Sequence, residues 1–403
     1  MTAPAPIGAA DIARWRHDTL GAARRHHLNN AGAALQPRPV LDAVRAHLDL
    51  EAMIGGYEAA AAARAAHDEC YRAVAALVRA APRNIAVTSS ATAAYAQALL
   101  AFDFAPGDAI VTTVADYLSN RIMFEAIARR RGVRIVEAPD LPEGGVDPDA
   151  VAALIRAERP ALVALTWVPT FGGLVQRAED VGIACAEAGV PYLVDGCQAV
   201  GQLEVDALAL RCDFLAATAR KFLRGPRGIG FLYVSDAALQ AGRHPLLVDM
   251  RGAHWTDVGA YATYEGARRF EQWEQPLALV LGLGAAARYA VGEGVGRTSL
   301  RAHGLAAEVR RRLSAIPGIR CTDRGERLSA IAAFECGARD ASDLVPALRA
   351  LGVNVSSQSR DENGVPLGRL GARSILRVSP HYYNDDGDLD ALEAGLRDLV
   401  SAP

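Results

Sequence analysis

Between residues 84 and 234 short β-branched runs alternate with Ala-rich helical stretches, and this alternation restricts the fold more than any other feature of the chain. NIAVT (84–88) precedes ATAAYAQALLAF, DAIVTTV (108–114) precedes SNRIMFEAIARRR, and VRIVEAP (133–139) follows. ALVALTWV (161–168) leads into a helical pattern through Cys185, and VPYLVD (190–195), CDFLAAT (212–218) and GIGFLYV (228–234) close the series. Strands separated by helices pair in parallel, and the helices then cover both faces of the sheet. GIGFLYV follows CDFLAAT after a loop of about ten residues, too short for a helical crossover, so it enters the same sheet antiparallel. The expected class is α/β, with a large domain on a mostly parallel seven-stranded sheet.

At 403 residues the chain exceeds what one core normally organises, so two domains sharing a cleft are expected. Composition shifts over 240–275, where Trp255, Tyr261, Tyr264, Phe270 and Trp273 cluster. A long helical region from Pro276 to Ile316 and a weaker α+β pattern follow. These changes place a large domain at 26–275 and a smaller α+β domain at 276–403, joined by residues 1–25. The run EAAAAARAAHDE (58–69) is a helix former by propensity.

A net charge of −3, with 22% charged residues, argues against a nucleic-acid or anionic-membrane partner. The Arg129–Arg131 and Arg310–Arg312 triplets sit in helical stretches and read as solvated helix charge. No secretory signal is legible at the N-terminus, and the apolar stretch from Pro276 is broken by Gly and Arg, so a cytoplasmic protein is expected. Cys70, Cys185, Cys197, Cys212, Cys321 and Cys336 form no CxxC pair and have no partnering His spacing, which predicts buried, reduced thiols and no metal site. GLGAAA (282–287) lacks the strand and third glycine of a dinucleotide loop.

Lys221 is the only lysine, although Lys and Arg together number 43. Arginine stays protonated, whereas a lysine amine can lose its proton through burial or a neighbouring cation and condense with a carbonyl. Compositional drift is the bland alternative, and the surroundings decide. Ligands of parallel α/β sheets sit beyond the carboxyl ends of the strands. Asp195 closes YLVD, Lys221 lies just past CDFLAAT, and TSSAT (88–92) closes NIAVT and opens a helix. The helix start at Ala91 and Thr92 offers amides and a positive dipole end to a phosphate, although a simple Ser/Thr N-cap is the plainer reading of that segment alone. Asp195 can keep a pyridine nitrogen protonated, and Lys221 can form a Schiff base and act as a base at a substrate Cα. An amine, a carboxylate and a phosphate cradle together fit pyridoxal 5'-phosphate.

VDGCQAVGQ (194–202) and TARKFLRGPRGIGFLYV (218–234) resemble the cofactor-lysine region of the class V aminotransferase and cysteine desulfurase family, fold type I pyridoxal phosphate enzymes. The likeness extends over nearly the whole chain through HLNNAGAALQP (27–37), TSSATAAY (88–95) and RVSPHYYN (377–384). It implies Lys221 as the Schiff-base lysine, Asp195 as the ring-nitrogen partner, Gln198 as a donor near the ring hydroxyl, and Thr92 and Thr218 at the phosphate. Arg220 stands where many relatives carry histidine and can bind phosphate as a fixed cation. In ADYLSN (115–120) Tyr117 or Leu118 aligns with the residue that stacks on the ring, and Tyr117 is chosen as the aromatic one of the two; Thr170 stands where relatives often place asparagine. Arg377 is expected to fork onto the carboxylate of an amino-acid substrate, with Asn30 and Tyr57 as further substrate contacts and His381 as a structural hydrogen-bonding residue. The family also implies a homodimer, with EGARRFEQWE (265–274) contributing to the neighbour's site.

Sulfur-transferring members need a mobile-loop cysteine, yet NVSSQSRDENG (354–364) has Ser356, Ser357 and Ser359 in the matching region. GGY (55–57) and RKFLRGPRG (220–228) resemble the branch that includes the ergothioneine-pathway cysteine sulfoxide lyase and isopenicillin N epimerase-like proteins. The reading is a C–S lyase acting by β-elimination on a cysteine-derived conjugate or sulfoxide. Class V transamination, epimerisation and a catalytically silent cofactor-binding protein are the alternatives.

Overall fold

The computed structural model describes residues 6–337, 339–360, 368 and 371–401. The alternating region forms β1 (Ile85–Thr88), β2 (Ala109–Thr113), β3 (Arg134–Ala138), β4 (Leu162–Thr166), β5 (Tyr192–Asp195), β6 (Phe214–Thr218) and β7 (Gly230–Val234). They make one seven-stranded sheet in the order β1-β7-β6-β5-β4-β2-β3. β7 runs antiparallel to both β6 and β1, and the other pairings are parallel, as the short β6–β7 connection requires. Six of the strands are buried along their whole length, because helices cover both faces. β3 departs from this: its Arg134 and Glu137 are exposed, as suits an edge strand that must not pair further.

Helices return the chain between strands, and two of them stop at a left-handed glycine. Leu118–Arg131 ends at Gly132 with φ 70°, and Ala178–Ala188 ends at Gly189 with φ 67°. The carboxyl ends of the co-directional strands therefore open on one edge, at Thr88, Thr113, Thr166, Asp195 and Thr218. That edge is where a ligand of this architecture sits.

The long helical region after Pro276 is two helices, Leu277–Glu293 and Val295–Ser314, bent by 83° at Gly294. The first packs on Arg38–Ile54 and Arg64–Leu77. No single described helix is long and apolar enough to cross a membrane. β8 (Ile319–Cys321), β9 (Ala332–Cys336), β10 (Ser356–Ser359) and β11 (Ser374–Val378) form a small antiparallel sheet in the order β8-β9-β11-β10. His26–His27 pairs in parallel with Val353–Asn354, which ties the N-terminal segment to this smaller unit. The aromatic segment contains an exposed hairpin, Ala253–Asp257 with Ala260–Thr263. All six cysteines are free, but Cys197 and Cys321 are only partly buried, which corrects the expectation of uniformly buried thiols.

Candidate active site

Lys221 is carried on a tight turn just past β6. Ala219 N donates to Ile229 O at 3.1 Å, Arg224 N to Lys221 O at 2.8 Å and Gly225 N to Ala219 O at 2.7 Å, so the turn satisfies its own backbone. Arg224 adds side-chain support: its guanidinium donates to Leu35 O at 2.9 Å, Tyr382 Oη at 2.7 Å and Thr19 Oγ1 at 2.5 Å. The Lys221 side chain is 8% exposed and makes no hydrogen bond or ion pair among the described residues. Its ammonium lies 5.9 Å from the centroid of the Tyr117 ring. Burial pulls its pKa below the ordinary lysine value, with Cys197 and Asp195 opposing and Arg220 and Arg377 assisting. A lysine in that setting can shed its proton and act as a nucleophile or base.

Ala91, Thr92, Tyr117, Thr170, Asp195, Gln198, Thr218, Arg220 and Lys221 all line one pocket. Ser90 caps helix Ala91–Leu99 by accepting from Ala93 N at 3.0 Å, and the helix opens into the pocket at Ala91 and Thr92. Gly230 permits this, since a Cβ there would meet Ala217 O at 2.5 Å and Ala91 N at 2.9 Å. Arg220 brings a guanidinium to the pocket and donates to Gly32 O. Asp195, 4% exposed, accepts from Cys197 N at 2.9 Å on Oδ1 and from Asn120 Nδ2 at 2.8 Å on Oδ2. Each carboxylate oxygen keeps a lone pair for a further donor.

Arg377 reaches from β11 to the loop that follows β4. Its Nη1 donates to Thr170 O at 2.7 Å and Thr170 Oγ1 at 2.8 Å, and its Nε to Ser356 Oγ at 3.1 Å. Thr170 is thus a holder of Arg377 as well as a pocket wall. Replacing Arg377 with Lys keeps the charge and loses the planar fork. The expected result is a fall of roughly 30-fold in kcat/KM for an amino-acid substrate, carried mainly by KM, as initial rates over a substrate series would show.

Two residues lie away from their expected places, and a third presents a different atom. Gln198 Nε2 donates to Ala31 O at 3.1 Å, while Oε1 is buried without a partner among the described residues. The open group is therefore an acceptor, where the sequence suggested a donor. Asn30 is fully buried and does not line the pocket: Nδ2 donates to Ser379 O at 2.7 Å and Oδ1 accepts from Tyr383 Oη at 2.7 Å. Its amide knits the N-terminal segment to RVSPHYYN. Tyr57 is 84% exposed and lines a separate groove of about 750 Å³ with Arg64, His67, Arg251 and Trp273. His381 is structural: Nδ1 accepts from Tyr382 N at 2.9 Å, so Nε2 donates to Phe222 O at 2.9 Å, and burial keeps the ring neutral. Residues 361–364 of the serine-bearing segment lie outside the described residues.

Sequence reasoning missed Asn120, Thr166, Val168 and Cys197. Asn120 and Cys197 stand within the quoted motifs ADYLSN and VDGCQAVGQ, and their offsets from Tyr117 and Asp195 were the available signal. Thr166 carries none beyond the strand end it occupies, and Val168 none beyond lying two residues past it.

The donor set fits pyridoxal phosphate. A buried amine without a partner, a carboxylate with spare lone pairs, an orphaned Gln198 oxygen, and a helix start beside a guanidinium match the aldehyde, ring nitrogen, ring hydroxyl and phosphate in turn. Fold and site together define a fold type I pyridoxal phosphate enzyme. Residues 26–392 match the Aminotransferase class-V family model, and the chain belongs to that family.

A cysteine desulfurase of Dickeya dadantii is 30% identical over 383 residues, spanning 92% of this chain and 90% of that protein. A probable cysteine desulfurase of Methanothermobacter thermautotrophicus is 28% identical over 386 residues, spanning 93% and 94%. Among solved structures, an apo cysteine desulfurase from Thermococcus onnurineus superposes with a TM-score of 0.87 at 23% identity, covering 96% of this chain and 98% of that one. A cystine C–S lyase in complex with its product cysteine persulfide gives 0.84 at 22%, covering 94% and 99%. At those identities the structural likeness establishes the fold alone.

Proposed function

We propose that this amino-acid-acting enzyme is a C–S lyase that performs β-elimination on an S-substituted cysteine or its sulfoxide. The observation that carries the reading is the serine-bearing segment 354–364, which has no cysteine to accept sulfur. Cys336 is buried on β9, and Cys197, which lines the pocket, has a thiol held protonated by burial and by Asp195. Lys221 and Arg220 oppose that shift without being its largest causes, so the thiol is a weak sulfur acceptor, and in the proposed reaction the sulfur goes out with the departing group. The cystine lyase among the fold neighbours is a precedent for such cleavage on this scaffold.

When bound, pyridoxal phosphate supplies a carbonyl for amine exchange and an electron-accepting ring. Arg377, braced by Thr170 and Ser356, orients the substrate carboxylate. Lys221 Nζ takes the Cα proton, the Cβ–S bond breaks with its electron pair leaving on sulfur, and the three-carbon remainder hydrolyses to pyruvate and ammonia. Asp195 would keep the ring nitrogen protonated, and Tyr117 would pack on the ring. Thr92, Thr218, Arg220 and the Ala91 amide would hold the phosphate, and Gln198 would stand at the ring hydroxyl.

The test is incubation with S-substituted cysteines and their sulfoxides without any keto acid. The expected products are pyruvate and ammonia in equal amounts. Turnover only with a keto-acid acceptor identifies a transaminase instead, and Cα deuterium exchange with the amino acid returned intact identifies an epimerase.

A cytoplasmic homodimer belongs to the same proposal, as does the division at residues 25/26 and 275/276. Tyr57 and Trp273 expose apolar surface in the groove, which suits a second copy better than water. Sedimentation equilibrium is expected to return twice the chain mass of 42.5 kDa, and Trp273→Glu to shift the protein toward the single-chain value.

A further inference from the structure

Asp116 is a buried carboxyl that the chemistry above does not use. It stands between β2 and helix Leu118–Arg131, is 5% exposed, and has no ion pair among the described residues. Its Oδ1 accepts from Thr166 N at 2.7 Å, and Oδ2 is hydrogen-bonded to Thr112 Oγ1. Thr166 is the register partner of Asp195, lines the Lys221 pocket, and accepts from Tyr117 N at 3.1 Å on its Oγ1. One side chain therefore joins the ends of β2 and β4 to the helix start that carries Tyr117.

We infer that Asp116 is a positioning residue of this site, acting through Thr166 to fix the backbone of Tyr117 and so the ring that faces Lys221. The neutral acid suits the role. Oδ1 accepts from Thr166 N, and the carboxyl proton on Oδ2 goes to Thr112 Oγ1 once that hydroxyl turns from the donor role it has toward a carboxylate, whereas the anion is a second buried negative charge near Asp195. Burial pushes the Asp116 pKa up to about 7, the Thr166 hydrogen bonds oppose this, Asp195 adds to it and Arg121 opposes it. The titratable and charged groups facing it are Asp195 and Tyr192 on β5, Tyr95 on helix Ala91–Leu99, and Arg121, itself paired with Glu137 at 2.5 Å. Asparagine reproduces the hydrogen bonding of the neutral acid, and alanine does not.

The inference rests on the cofactor-site reading and not on the reaction, so the test measures pyridoxal phosphate dissociation constants by protein fluorescence at pH 6. Saturable binding by the wild type checks that reading by itself, and the variants then decide the inference. Tyr117→Ala is expected to weaken binding about tenfold through loss of ring stacking. Asp116→Ala and Thr166→Val weaken it roughly fivefold, Asp116→Asn stays within about twofold of wild type, and Asp116→Ala with Tyr117→Ala binds no worse than Tyr117→Ala alone. Additive losses in the double variant, unaltered binding in Asp116→Ala, or Asp116→Asn as weak as Asp116→Ala would each overturn it. If Asp116→Ala does not fold, Asp116→Leu, of similar size and without hydrogen-bonding atoms, supplies the same comparison alone and with Tyr117→Ala. A second readout is thermal unfolding of the cofactor-free protein. The folded state keeps a proton that the unfolded chain releases near 3.8, so wild-type stability falls relative to Asp116→Asn as pH rises toward about 7. Parallel pH profiles for the two proteins contradict the neutral clamp.

Discussion

Lys221→Ala is expected to lower kcat by about 10⁴-fold or more, because one substitution removes both the covalent anchor and the base at Cα. The protein itself should not suffer. The lysine is buried, makes no hydrogen bond or ion pair among the described residues, and has its pKa pulled down by burial, so its removal takes away a destabilising charge. Thermal unfolding is expected at the wild-type temperature or above it, and cofactor should still bind but dialyse out. Lys221→Arg is expected to be equally inactive, since a guanidinium keeps its proton. A variant retaining a tenth of wild-type turnover would show that the proton leaves Cα by another route. Residual activity rising with added alkylamine would instead support the assigned base.

Asp195→Asn is expected to cost roughly 10³-fold in kcat with a smaller change in KM, because an amide cannot hold a proton on the ring nitrogen through an ion pair. Its two hydrogen-bonded neighbours decide the variant's quality. Cys197 N finds the amide oxygen, but Asn120 Nδ2 then meets a donor, so Asn120 must turn its own oxygen toward position 195. Far-ultraviolet circular dichroism should be unchanged, while the absorbance of bound cofactor shifts to shorter wavelength as its ring loses a proton. Asp195→Glu tests the charge separately, by keeping the carboxylate and displacing it. A near-native rate in Asp195→Asn would mean that the ring nitrogen is not the functional partner of this carboxylate.

Much of the architecture can be read from residue pattern because the physics is local. Each run in 84–234 became a strand whose ends lie close to those expected, and the antiparallel entry of GIGFLYV follows from the length of one loop. Strand ends then point to the site, because loops past the carboxyl edge converge wherever a parallel sheet forms. The single lysine sharpened this, since chemistry that arginine cannot perform must fall on it. What stayed hidden depends on side-chain hydrogen bonding between distant segments. Nothing in NNAG shows that Asn30 would spend its amide on Ser379 and Tyr383 rather than on a ligand. Gln198 lies in a motif that names its position but not the face of its amide, which is settled by the carbonyl of Ala31. Asp116 stands beside Tyr117 in sequence, and only the approach of Thr166 shows what it does. Tyr57 lines a separate groove that shares no residue with the Lys221 pocket.

The most direct measurement is borohydride reduction of the enzyme loaded with pyridoxal phosphate, followed by proteolysis and mass mapping. One pyridoxyl group per chain, on the peptide containing Lys221, is the expected result. A modification on the N-terminal amine, or none at all after full cofactor loading, would contradict the assignment of Lys221 as the cofactor lysine.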